Sequence, residues 1–272
     1  MTSTGPEATT THDGPLRVER DGHVETWTID LPETRNPISG PDVVAAFVEH
    51  TARVDRDGDV RAVILTGAGS AFSAGGNVHE MAERRGMFSG APYEQRNGYR
   101  HGIQQIPLAL RRCEVPFIAA VNGPAVGAGC DLAMMCDLRI ASTKAFFAES
   151  FVQLGIIPGD GGAWFLTRAI GPARAAEMAL TGDRVDAATA LEWGMVSRVV
   201  EPEDLLDAAR DLAARVAKNP PHATRMAKKL LQESQQRDLE GVLELSAAMQ
   251  AISHHTQDHT DAVQAFVERT RR

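Results

Sequence analysis

The stretch from Val115 to Leu132 reads VPFIAAVNGPAVGAGCDL, and the reading of the whole chain turns on it. An apolar, β-favouring run from Val115 to Val121 breaks at Asn122-Gly123-Pro124. It then passes through Gly127-Ala128-Gly129 into a second apolar run that carries one acid near its start, Asp131. The pattern predicts a strand, a tight turn and a glycine-rich entry into a helix whose first turn holds a carboxylate. Small residues let a ligand approach the backbone, and the first amides of a helix have no partner inside it, so they are available to a developing negative charge. A carboxylate beside such donors is placed to move a proton while they hold an oxyanion. The same residues also describe an ordinary helix start, with glycine for packing and aspartate for the helix dipole.

Upstream of this stretch, Val24 to Leu31 alternates Trp27, Ile29 and Leu31 with polar residues, the period of a strand with one covered face, and Pro32 ends it. Val44, Phe47, Val48 and Thr51 recur at helical spacing after Pro41, which suits a first helical turn. RAVILT (Arg61 to Thr66) is a short apolar run of the kind buried on both faces. GAGSAFSAGG (Gly67 to Gly76) is a small-residue loop that lacks the third glycine of a dinucleotide fingerprint, and Ser73 within it lacks the glycine of a hydrolase elbow. From Val78 to Gln105 the chain is charged, interrupted by glycine and dotted with Met and aromatic residues, as expected of a weakly helical segment that lines or covers a pocket.

Downstream, short strands are expected at Asp137 to Ala141 and around Ala145 to Phe147, followed by a second glycine-rich loop, LGIIPGDGG, carrying Asp160. A lone Asp between glycines is ordinarily a turn residue. After Gly171-Pro172 come five segments with helical apolar stripes, broken by an extended piece at Val196 to Val200. Arg225, Lys228 and Lys229 read most simply as a solvated helix face, with an anionic group as the alternative partner. His254, His255 and His259 lack the spacing of a metal site, and no metal is expected.

Composition narrows the function classes. With 43% hydrophobic residues in 272, the chain buries a full core. The formal charge of -8 and the lack of a basic stripe argue against nucleic acid. No apolar run is long enough to cross a bilayer, and the Thr-rich start has neither a basic n-region nor an apolar core, so no membrane partner is expected. Cys113, Cys130 and Cys136 sit in apolar contexts without disulfide or metal spacing, which fits a reducing compartment and a cytoplasmic location. The expected division is a disordered tail over 1–14, a core over 15–200 and a helical region over 201–272.

Taken together, FSAGGNVHEM (Phe72 to Met81), the segment Val115 to Ser142, LGIIPGDGGAW (Leu154 to Trp164), TGDRVDAATALEWGMVSRVV (Thr181 to Val200) and the helical tail resemble the enoyl-CoA hydratase/isomerase, or crotonase, family. The likeness holds one register without gaps from Val115 to Trp164. It implies an α/β fold, a spiral of ββα turns forming two roughly perpendicular sheets, with a C-terminal helical trimerisation region and a homotrimer or dimer of trimers. It also implies an acyl-CoA thioester as substrate, with no separate cofactor because coenzyme A is part of that substrate. Its oxyanion hole would use the amides of Gly76 and Ala128, where Ala128 stands in place of a family glycine but keeps the donor. Ala74, Val78 and Phe151 fall on the implied pocket wall.

The departures from the pattern bear on mechanism. Hydratases of the family carry two glutamates around a water. Here the first position is Asp131 and the second is Phe151, which transfers no proton. Asp160 lies in a loop that supplies a pocket acid in several relatives, one residue beyond their position. Two enolate mechanisms remain open, an isomerase using Asp131 or Asp160 and a specialised hydratase using both. A non-catalytic acyl-CoA-binding subunit, or a thioester or β-diketone hydrolase on the same fold, are the alternatives. The hydrolase would want a base in the pocket segments, and their only histidine, His79, is expected to face solvent.

Overall fold

The computed structural model describes residues 9–270. Among the described residues there are ten strands and eleven α-helices. The strands are β1 (Thr9–Asp13), β2 (Leu16–Asp21), β3 (Val24–Ile29), β4 (Ala62–Gly67), β5 (Phe117–Val121), β6 (Ala125–Val126), β7 (Leu138–Ser142), β8 (Phe146–Ala148), β9 (Arg184–Asp186) and β10 (Val199–Val200). One sheet has the order β1-β2-β3-β4-β5-β7-β10 and the other the order β6-β8-β9. Pairing is antiparallel through β1, β2 and β3 and parallel from β3 to β10.

β4 shows why a continuous apolar run is needed here. Ala62 and Ile64 face one side of the sheet, where they join Ile118, Ala120 and Ile140 under Leu205, Ala209 and Ala213 of helix α8 (Leu205–Ala217). Val63 and Leu65 face the other side and join the main core with Trp27, Phe47 and Phe117. Both faces are covered, so alternation would have put polar groups into a core. Phe47 comes from α1 (Pro41–Arg56), whose buried side is Val43, Val44, Phe47, Thr51 and Val54, the stripe read from the sequence.

Two sequence expectations are corrected. Residues 1–8 of the expected tail lie outside the described residues, but Thr9–Asp13 form β1, paired in register with β2 from Thr9 opposite Arg20 to Asp13 opposite Leu16. A Thr-rich segment reads as tail by its polarity, yet an edge strand needs a partner backbone more than an apolar face. The second correction concerns α9 (Pro221–Glu233). Lys228 is 7% exposed, with Nζ 2.8 Å from Asp137 Oδ2 and donating to the Val115 carbonyl at 2.7 Å. Arg225 donates to the carbonyls of Asp55 and Asp57 at the end of α1. These cations fasten α9 to the core, while Lys229 pairs with Glu233 of its own helix.

Candidate active site

The organising stretch folds as its residues dictate. β5 ends at Val121, the chain turns through Asn122-Gly123-Pro124 into the short β6, and α5 (Ala128–Met135) begins directly after Gly127. Gly127 has φ +54° and ψ -123°, a combination closed to residues with a Cβ. That bend aims the first amides of α5 away from the sheet. The FSAGG loop comes alongside: Val126 N–H donates to the Ser73 carbonyl, and Ser73 and Ala125 form a parallel bridge. A Cβ on Gly75 would lie 2.4 Å from the Val126 carbonyl and 2.9 Å from the Ala128 nitrogen, so only glycine permits this approach. Ser73 is fully buried and donates through Oγ to the Asn36 carbonyl, which makes it a brace of the loop.

The outcome is that Gly76 N–H and Ala128 N–H border one cavity, and neither donates to an acceptor among the described residues. The cavity offers about 100 Å³ to the centre of a water-sized sphere and opens to solvent at its mouth. Its wall includes Ala74, Val78 and Phe151, together with Met81, Met87, Phe88, Tyr99 and Ile103 from the segment between Val78 and Gln105. That segment contributes α2 (Val78–Ala82), α3 (Pro92–His101) and the turn into α4 (Gln105–Arg112). His79 is exposed and takes no part in the wall. Phe151 is 8% exposed, and its ring packs over Gly127, 3.6 Å from where a Cβ would stand.

The two aspartates take different places. Asp160 lines the cavity and is 4% exposed, with Oδ1 lacking any hydrogen-bond partner. It sits just before Gly161, whose φ of +110° turns the chain into α6 (Gly162–Thr181), and Gln104 donates to the neighbouring Gly159 carbonyl at 2.8 Å. Burial, and then the nearby Asp131, push the Asp160 carboxyl up to about 7. The same Asp160 charge, after burial, raises the Tyr99 hydroxyl across the cavity wall.

Asp131 is wholly enclosed on α5 and does not reach the cavity wall. It lies against the start of α6, so close that a Cβ on Gly162 would meet Asp131 Oδ1 at 1.9 Å. Neither of its oxygens closes a hydrogen bond of ordinary geometry, although the Gly162 amide nearby slightly favours the charged form. Burial first, and then Glu149, hold the Asp131 carboxyl well above its usual range.

Glu149 is the residue that sequence reasoning missed. It directly follows β8 and precedes Ser150 and Phe151 of the cavity wall, but it is fully buried and outside that wall. Burial pushes its carboxyl up to about 7, with Asp160 adding to the rise and Asp131 and Cys130 opposing it as hydrogen-bonding neighbours. A signal did exist in the sequence, since a glutamate between apolar Ala148 and Phe151 is out of place in a buried strand end. Among the described residues no three His, Cys, Asp or Glu side chains are arranged so that they could hold a metal ion, and the rings of His254 and His259 contact each other at 3.1 Å.

A pair of free amides at the edge of a buried apolar cavity, with a carboxyl in its wall, defines the class: enzymes that stabilise an oxyanion on a carbonyl compound while moving a proton beside it. The chain belongs to the Enoyl-CoA hydratase/isomerase family, which it matches over residues 19–272. It is 35% identical to the short-chain-enoyl-CoA hydratase of Clostridium acetobutylicum, across 93% of this chain and 94% of that one. It is 34% identical to the 1,2-epoxyphenylacetyl-CoA isomerase of Escherichia coli, across 90% and 94%. The crystal structure of an enoyl-CoA hydratase from Mycobacterium smegmatis superposes with a TM-score of 0.87 at 31% identity, covering 94% of this chain and 97% of that one. The crotonase-type fold and an enzyme of the hydratase/isomerase kind are thereby established.

Proposed function

We propose that this enzyme relocates a proton within an acyl-CoA thioester, as a double-bond isomerase acting through an enolate. The supporting observation is Asp160, a nearly buried carboxyl with a free oxygen in a cavity wall that is otherwise largely apolar. The amides of Gly76 and Ala128 hold the thioester oxygen as charge develops on it. Asp160 takes a proton from one carbon and returns it to another, for which an acid near neutrality is well suited. Phe151 occupies the position of the hydratases' second glutamate and leaves an apolar surface over Gly127 where they hold water.

This reading narrows the earlier pair of candidates, with Asp160 as the catalytic acid and base and Asp131 behind it. Assembly as a homotrimer or dimer of trimers belongs to the same proposal, supported by exposed Leu239, Leu243, Ile252 and Phe266 on the last two helices, as does residence in the cytoplasm.

The test is α-proton exchange in heavy water with saturated, 2-enoyl and 3-enoyl CoA thioesters, followed by mass spectrometry. Deuterium uptake with double-bond movement is expected, reduced about 10²- to 10⁴-fold in Asp160→Asn. Water addition at a comparable rate would identify a hydratase instead. Binding without exchange for every thioester would leave an acyl-CoA-binding subunit.

A further inference from the structure

Three carboxyls, Asp131, Glu149 and Asp160, are buried together, and only Asp160 opens to the cavity. As ionised groups they can only accept hydrogen bonds, and five of their oxygens have no donor: both of Asp131, both of Glu149 and Oδ1 of Asp160. The groups acting on Glu149 are Asp131 and Cys130 from α5 and Asp160 from the loop before α6, and no cation is among them. An array of unpaired buried anions of this kind is strongly unfavourable. One proton changes the account, because the backbone sets the two groups side by side: the Gly127 amide donates to the carbonyl of Ala148, next to Glu149, the Asp131 amide donates to the Gly127 carbonyl, and each carboxyl acts on the other. With a proton between them, one becomes the donor that the other lacks, and the pair retains a single negative charge.

We propose that Glu149 is a positioning residue of the reaction: through a proton shared with Asp131 it fixes one negative charge behind the cavity wall, so that Asp160 both accepts a substrate proton and gives it back. The step balances within the site. A C–H bond of the substrate breaks and its proton moves to Asp160 Oδ1, the electron pair passing into the enolate held by Gly76 and Ala128. The same proton then bonds to a second carbon as the enolate collapses, and the Asp131–Glu149 proton stays where it was. This inference rests on the isomerase reading for its chemistry, while the shared proton and the charge behind Asp160 are measurable without any substrate.

The experiment is a ¹³C NMR titration of the whole protein labelled at the aspartate carboxyl carbons, with Asp160→Asn and Asp131→Asn used to assign the two signals. In the wild type, Asp131 should keep the signal of a protonated acid well above the ordinary aspartate range while Asp160 titrates near neutrality. In Glu149→Gln, the Asp160 midpoint should move to lower pH by about one unit, the effect of a single charge within ~10 Å at the effective dielectric of a protein interior. The rising limb of the exchange rate should move the same way, because a base that ionises earlier works earlier. A residue that only supports the fold would lower the rate or the stability without moving the limb. An Asp131 signal that titrates in the ordinary aspartate range, or an Asp160 midpoint unmoved in Glu149→Gln, overturns the proposal. Failure of exchange with every thioester would instead remove the isomerase reading, leaving the titration to decide the charge arrangement.

Discussion

Two glutamates among the described residues are removed from solvent and are treated in opposite ways. Glu25 on β3, 1% exposed, accepts from Trp27 Nε1 at 2.8 Å and receives both arms of Arg53, Nη1 on Oε1 at 2.8 Å and Nη2 on Oε2 at 2.5 Å. Glu149 at the end of β8, 0% exposed, has no donor and keeps company with two further acids. Burial is the same, so it cannot be what separates structural from reactive acids. The difference lies in the neighbours. The Glu25 carboxylate meets a bidentate guanidinium, and the guanidinium of Arg53 is raised, first by its hydrogen bonds to Glu25. A carboxyl left among acids is pushed toward its protonated form, up to about 7 for Glu149.

The contrast predicts a dependence on pH at Glu149. The Glu149 carboxyl, ordinarily near 4.5, stands at about 7 in the folded chain. The native state therefore binds a proton that the unfolded state releases between these values, and stability falls as pH rises through that window. The loss should reach on the order of 3 kcal/mol and be complete above the folded value. Urea unfolding at pH 5 and pH 8 should show Glu149→Gln losing less than the wild type, and equal losses would break the comparison. Glu25 offers a second lever. Glu25→Ala strands the Trp27 indole N–H in the core and should destabilise by roughly 1–3 kcal/mol, with proton exchange by the folded fraction intact. The smallest effect belongs to Glu19, whose pair with Arg17 at 2.9 Å is partly solvated. Glu19→Gln should change unfolding free energy by no more than about 1 kcal/mol, fading further in salt.

Legibility in the sequence followed locality. β3, β4, α1, the β5 turn and the start of α5 are encoded by short-range period and by glycine and proline, and each formed within a few residues of its expected limits. The amides of Gly76 and Ala128 were reached through resemblance, since a backbone donor leaves no side-chain signature. Glu149 was hidden because the matched glutamate position falls two residues later, at Phe151, and because its importance depends on Asp131 and Asp160, which only the packing of α5 and α6 brings near. Lys228 was misread for a related reason. Adjacent lysines on a helix point about 100° apart, and nothing local tells which one meets Asp137. β1 escaped because its partner, β2, was itself not recognised as a strand.

The contact between Asp131 and Gly162 also limits how this protein can change by mutation. A Cβ at position 162 would stand 1.9 Å from Asp131 Oδ1, so the carboxylate already touches the backbone of α6. Asp131→Glu, the replacement that restores the first family glutamate, would push an added methylene toward that backbone, and Phe151→Glu would set a new acid near Asp160 and Glu149. Neither substitution works alone. A library that varies 131 and 151 with the start of α6 held fixed should therefore return few active clones.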